Sequence, residues 1–382
     1  MTLLTTNVSA YSASASGDRI AVLRSRGITA NATELYDLQM LDLVQQSAVT
    51  LLAESPRLYQ IHTSPDGQWV AYTTQETGGS IYILRAEEGS QPVKVSTCSD
   101  EDAMICTGEL SWAPDSQNLA WSDGGGIWLS PIPQPGLPAP DPNVVVPTTI
   151  TVEDPGGQLS PITVTYQDLR WSPFGRYLLA QVSVKTSTVK WLGLVDTLKG
   201  RIVEAPGTFG EEKISARLEW RPDGTLLGTF PGKPGPPYLQ IWQILPTREN
   251  LLGAGPSYTF PDWLLEGKQW QLIGVADTSE RFISFALIQQ FGEAGKLVQL
   301  DLRFGVFEVT GEIPGNTTSV LWAPDGSGVL VQSKDGEVVF LPGGGRQPIS
   351  LLPVLGLEAH SFSWLAPRPL PASILGTGAE GS

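Results

Sequence analysis

The sequence predicts an all-β fold of small antiparallel sheets repeated around an axis, and three observations lead there. A phrase close to Trp-Ser/Ala-Pro-Asp-Gly keeps returning: TSPDGQWVAYTT from residue 63, LSWAPDSQNLAWSD from 110, LRWSPFGRYLLAQV from 169, LEWRPDGTLLGTF from 218 and VLWAPDGSGVLVQS from 320. Aligned on its last position, the anchors are Gly17, Gly67, Ser116, Gly175, Gly224, Glu280 and Gly326, spaced 50, 49, 59, 49, 56 and 46 residues apart. Each interval holds several short apolar runs bounded by turn residues, the pattern of strands rather than helices.

Within a unit, the first strand ends at Trp112, Trp171, Trp220 or Trp322. Pro then sets φ for a turn, Asp accepts hydrogen bonds from the turn's own amides, and Gly adopts a backbone conformation that other residues resist. The second strand is more continuously apolar, as in WVAYTT at 69–74, YLLAQV at 177–182 and FISFAL at 282–287, so it must be covered on both faces. A third follows at 34–41, 80–86, 126–132, 191–197, 238–244, 297–302 and 337–342, and weaker stretches such as VKVST at 93–97 and PISLL at 348–352 supply a fourth. In ATELYDLQMLDLVQQ at 32–46, Leu35, Leu38, Met40, Leu41 and Val44 also fit helical spacing, but their place in the repeat predicts a strand.

Four antiparallel strands repeated radially, each sheet covering the next, make a β-propeller. Seven anchors predict seven four-stranded blades in one domain over 1–382, with a Pro-rich insertion at 131–161 read as a surface loop or docking segment. NVSAYSA at 7–13 and HSFSWLAP at 360–367, with Trp364 in the repeat's Trp position, both suit the innermost slot of the first blade. The ring is therefore expected to close where the two chain ends meet, eight blades being the alternative.

These residues resemble the WD40-like PD40 repeat of the TolB-type propellers, whose hallmark is this turn between the first two strands of a blade. The resemblance covers almost the whole chain. It is good at 63–72, 111–121, 220–228 and 322–331, degraded at 13–22 and 171–179, and reduced to spacing and second strand at 276–285. It implies the fold and, by analogy of fold, an envelope or extracytoplasmic assembly at the periplasm or cell surface, with the cytoplasm as the alternative.

Lys and Arg total 24 against 39 Asp and Glu, a net charge of −15 that argues against nucleic acid as a partner and serves solubility. The 41% hydrophobic fraction with 12 Trp is ample for a core, and no apolar run is long enough to span a membrane. The first thirty residues carry no basic stretch followed by a long apolar one, so no signal peptide is expected. Cys98 and Cys106 are candidates for a hairpin-end disulfide, or for two reduced thiols in an intracellular loop.

Catalytic signals are sparse. The two histidines, His62 and His360, read as structural, and no Gly-x-Ser-x-Gly elbow occurs. No His and Cys residues stand at zinc spacing, and Asp100, Glu101 and Asp102 read as a solvated acidic turn rather than a calcium loop, so no metal or cofactor is expected. Loops between second and third strands and those between blades share one face, gathering the cysteine loop 97–108 and GAGPSYTFPDWLLEGKQW at 253–270. The candidate partner-binding residues are Asp100, Glu101, Asp102, Tyr258, Phe260, Asp262 and Trp263, the alternative being that the aromatics fold back over the core. The sequence thus predicts a non-enzymatic scaffold that recognises a protein, with a channel hydrolase or lyase, or a small-ligand or glycan binder, as rivals.

Overall fold

The computed structural model describes residues 8–351 apart from 29–33, 57, 75–78, 98–108, 135–139, 154–158, 186, 189, 205–216, 231–235, 247–250, 269, 278–280, 290–293, 324–326 and 343–346. These residues form seven antiparallel sheets in chain order. The first is β1 (Val8–Ala13), β2 (Arg19–Ile28), β3 (Glu34–Asp42) and β4 (Ser47–Pro56). The second is β5 (Leu58–Thr63), β6 (Trp69–Thr74), β7 (Ser80–Arg85) and β8 (Val93–Thr97). The third is β9 (Ser111–Trp112), β10 (Asn118–Asp123), β11 (Gly126–Pro131) and β12 (Asn143–Pro147). The fourth adds a strand: β13 (Thr149–Glu153), β14 (Leu159–Trp171), β15 (Tyr177–Val184), β16 (Lys190–Asp196) and β17 (Arg201–Glu204). The fifth is β18 (Arg217–Trp220), β19 (Leu226–Phe230), β20 (Tyr238–Ile244) and β21 (Leu252–Thr259). After the short helix α1 (Asp262–Leu265) come the sixth, β22 (Trp270–Asp277), β23 (Phe282–Gln289), β24 (Ala294–Asp301) and β25 (Val306–Pro314), and the seventh, β26 (Thr317–Trp322), β27 (Gly328–Ser333), β28 (Val338–Pro342) and β29 (Ile349–Ser350). Residues 34–42 are strand, as their place in the repeat predicts.

The repeat's turn behaves as its chemistry requires. Gly17, Gly67, Gly175 and Gly224 have φ between 68° and 80°, and Ser116, standing where glycine usually does, is held at 59°. In the second blade the Ser64 hydroxyl donates to Asp66 at 2.5 Å and accepts the Trp69 amide at 3.0 Å, while Asp66 accepts the Gln68 amide. Ser116 shows why a side chain is tolerated there: its hydroxyl accepts the Asp66 amide from the preceding blade at 3.0 Å.

The repeat Trp has a second duty. Trp112 Nε1 donates to the His62 carbonyl at 2.9 Å, Trp171 Nε1 to Ser111 at 3.0 Å, and Trp220 Nε1 to Arg170 at 3.0 Å. Thr63 holds the same position in the second blade, and its hydroxyl donates to the Ser12 carbonyl at 2.7 Å. In every case the acceptor is the residue just before the equivalent position of the preceding blade. Blades one to five are thus linked in series along their innermost strands. Trp322 instead packs over Gly274, where a Cβ would lie 3.0 Å from the indole.

Six buried clusters each join two consecutive sheets, for example Leu84 and Tyr72 with Leu38 and Met40, or Leu179 and Leu194 with Leu226 and Trp242. A smaller one, Ile20, Val22 and Leu41, is drawn from the first sheet alone. The segment expected to close the ring, 360–367 with Trp364, lies outside the described residues.

The Pro-rich insertion, expected as a surface loop or docking segment, contains the strands β12, β13 and the start of β14 among its described residues. Thr149–Glu153 pair in unbroken register with Leu159–Thr163 at the start of β14, whereas β15 pairs with its later part, Val164–Trp171.

Candidate interaction site

Of the aromatic residues proposed between the fifth and sixth blades, two belong to the core. Phe260 is 3% exposed, stacks on Phe285 at 5.1 Å and meets Phe307 edge-on at 5.4 Å. It is therefore a packing residue and not a contact for a partner, because its ring completes the apolar seam between the two blades. Tyr258 lies on the outer strand β21, half-buried, and its hydroxyl donates to the Leu302 carbonyl at 3.0 Å in the neighbouring blade. Burial also raises its pKa. The stretch 253–270 is accordingly not a long loop but an outer strand followed by one helical turn.

That turn is where the site lies. Pro261 enters α1 in extended conformation and Glu266 ends it in the left-handed region, its amide donating to the Asp262 carbonyl at 2.8 Å. Leu264 is fully buried. Trp270 Nε1 donates to the Leu265 carbonyl at 2.8 Å, and Lys296 Nζ reaches both the Leu264 carbonyl at 3.1 Å and Glu266 at 2.6 Å while lying 4.9 Å from the Trp270 ring centre. The hydrogen bonds and charges of Lys296 and Lys268 hold the Glu266 carboxyl below its usual range. With the inner side of α1 pinned at four points, Asp262 and Trp263 face solvent, Trp263 being 56% exposed. An anchored turn with an outward Trp beside a carboxylate can present a pre-ordered aromatic at low entropic cost.

Asp100, Glu101, Asp102, Cys98, Cys106 and His360 lie outside the described residues. Trp112, Trp171, Trp220 and Trp322 are structural. His62 is half-buried on β5, and desolvation lowers its pKa. Among the described residues no group of three or more His, Cys, Asp or Glu side chains is placed to hold a metal ion, and no helix is long and apolar enough to cross a membrane.

Sequence reasoning missed a second recurring turn, between the third and fourth strands. LDLVQQ at 41–46, VDTLKG at 195–200 and LDLRFG at 300–305 share an Asp that accepts amides two residues on: Asp42 from Val44, Asp196 from Leu198 and Asp301 from Arg303. Each Asp is also paired with an Arg from the start of the second strand, Arg19, Arg176 and Arg281 respectively. Burial would raise the Asp196 carboxyl, but Arg176 and the turn amides outweigh it and hold it below the usual carboxylate range. The recurrence of Asp-Leu or Asp-Thr after an apolar strand was the available signal.

No protein-family model matches the sequence, and no curated protein matches it. Solved structures do. A eukaryotic initiation factor is 14% identical over 91% of this chain and 78% of its own, with a TM-score of 0.52. The Cps50 (Swd1) β-propeller domain of Myceliophteria thermophila is 12% identical over 89% and 98%, with a TM-score of 0.50. An oligogalacturonate lyase in complex with manganese is 10% identical over 87% and 84%, with a TM-score of 0.50. TolB from Acinetobacter baumannii matches more loosely, at 14% identity and a TM-score of 0.37 over 88% and 80%. At these identities the likeness is one of fold, and it bears out the β-propeller read from the repeat.

Proposed function

We propose that this chain is a non-enzymatic binding propeller, a scaffold that presents a rigid surface to a protein partner within a larger assembly. The observation that carries the reading is the α1 platform, whose buried side fixes the helix while Trp263 stands exposed next to Asp262. Exposed Trp on an ordered support is the residue type that dominates protein-protein hot spots. The position of His62, half-buried with no carboxylate paired to it among the described residues, supports a structural rather than a catalytic histidine. An extracytoplasmic location, at the periplasm or cell surface, belongs to the same proposal and rests on the TolB-type character of the repeat.

The test is cross-linking in the native cells with mass-spectrometric identification, carried out for the unaltered protein and for Trp263→Ala. A stoichiometric protein cross-linked near α1, with affinity about ten-fold or more weaker for Trp263→Ala, is expected; hot-spot Trp truncations lose on the order of 2 kcal/mol. A partner bound equally by both proteins overturns the α1 site. Recovery of the chain alone overturns the scaffold reading.

A further inference from the structure

A groove of about 410 Å³ opens between the third and fourth blades, at the end of the blades that carries the repeat's turns. Topology places α1 at the other end, since it connects the last strand of one blade to the first of the next. One wall is the outer strand β12 with Leu129 of β11. The other is the turn Thr197–Gly200 that follows β16. This turn leans on the neighbouring strand so closely that a Cβ on Gly200 would lie 3.0 Å from the Val145 carbonyl.

The lips are apolar and open to water. Leu198 is 77% exposed and Val144 43%, well above what a lone packed side chain would leave in solvent. Three polar groups face the same space without intramolecular side-chain partners of matching kind. The carboxamides of Asn118 and Asn143 make no hydrogen bond among the described residues. Among the described residues Lys199 Nζ reaches only the Pro246 carbonyl at 3.1 Å and has no carboxylate at ion-pair distance, in a chain of net charge −15. β12 is the terminal strand of its sheet, so one row of its main-chain groups has no partner strand.

We propose that this groove binds an extended peptide segment of a partner protein, one that carries an apolar side chain beside a carboxylate. The apolar side chain lies between Leu129, Val144 and Leu198; the carboxylate meets the Lys199 ammonium; and the two carboxamides, each donor and acceptor at once, read the peptide backbone. Charge complementarity selects the anionic segment, because the one charged group lining the groove is cationic. The proposal rests on the reading of this chain as a protein-binding module but concerns a separate surface from α1.

Panning a random dodecapeptide phage library on the full chain tests it, followed by fluorescence anisotropy with the synthetic consensus peptide. The expected consensus has an apolar residue within two positions of Asp or Glu. Its affinity should fall roughly three- to ten-fold for Lys199→Glu, and by a similar factor for Val144→Asp, and should weaken with salt. Both sites are exposed, and unchanged melting temperatures show that the variants fold. A consensus without a carboxylate, or one bound equally by wild type, Lys199→Glu and Val144→Asp, overturns the groove. Peptides lost with Trp263→Ala but kept with Lys199→Glu overturn it while leaving the α1 reading intact. Tighter peptide binding after deletion of 352–382 would identify the chain's own tail as the occupant and overturn a partner's segment.

Discussion

The Asp of the second recurring turn shows how much one side chain can hold. Asp196 is fully buried, takes two hydrogen bonds from Arg176 at 2.9 and 3.3 Å, and accepts the Leu198 amide at 3.2 Å. Asp196→Ala leaves the Arg176 guanidinium and the turn amide without their acceptor, and a loss of about 2–3 kcal/mol is expected in urea unfolding. Asp301→Ala should cost distinctly less, because Arg281 is half in solvent. The acid limb of stability follows from the same groups. Asp196 and Asp301 of these turns, and Asp37 on β3, which pairs with Arg26 at 2.6 Å and accepts the Glu54 amide at 3.0 Å, are held below the usual carboxylate range by their Arg partners and backbone amides. They bind protons more readily unfolded, so their contribution is complete above the unfolded carboxylate value near pH 4 and is lost as pH falls through the lower folded values. Melting temperature measured against pH should therefore be insensitive to these groups above about pH 5 and drop below about pH 4 in the wild type, with a shallower drop in Asp196→Asn. The recurring Asp is legible in the sequence only as common turn chemistry after an apolar strand; its Arg partner sits about twenty residues upstream and becomes visible only once the strands pair.

At the scale of elements, the sequence was most legible where the backbone itself is constrained. The turn glycines Gly17, Gly67, Gly175 and Gly224 are placed as expected because an αL position excludes most residues, and the first three strands of each blade because their apolar runs recur. Gly224 illustrates the constraint: φ is 80°, and a Cβ there would lie 2.4 Å from the exposed ring of Phe174. Gly224→Ala is expected to cost about 1 kcal/mol, chiefly the backbone term. The Phe174→Ala background should change that little, because an exposed ring can swing aside; recovery of stability in the double variant would show that the contact dominates instead. The strand β13 and helix α1 were not legible. One turn of helix is too short for a 3.6-residue period to register, and β13 sits in a Pro-rich stretch whose composition argues for loop. Hence the sequence offers Trp263 and Phe260 alike as candidate contacts, whereas the burial of Phe260 three positions earlier depends on the facing blade.

For the whole molecule, the repeat spacing correctly indicated seven sheets, while the extra strand of the fourth blade was hidden in the interval of 59 residues. The expectation that the chain's ends close the ring becomes a prediction: deleting 352–382 should lower the melting temperature by several degrees, and an unchanged value would contradict closure by the chain's ends. The link between successive blades carries a consequence for how such a molecule arises. The donor is an indole or hydroxyl of one blade, and the acceptor is a main-chain carbonyl, offered alike by Ser12, His62, Ser111 and Arg170. Every residue type supplies that carbonyl. A duplicated blade therefore docks onto its neighbour without a matching change in the neighbour's side chains, and gene duplication can lengthen or renew the series of blades while the acceptor positions drift freely toward new surfaces.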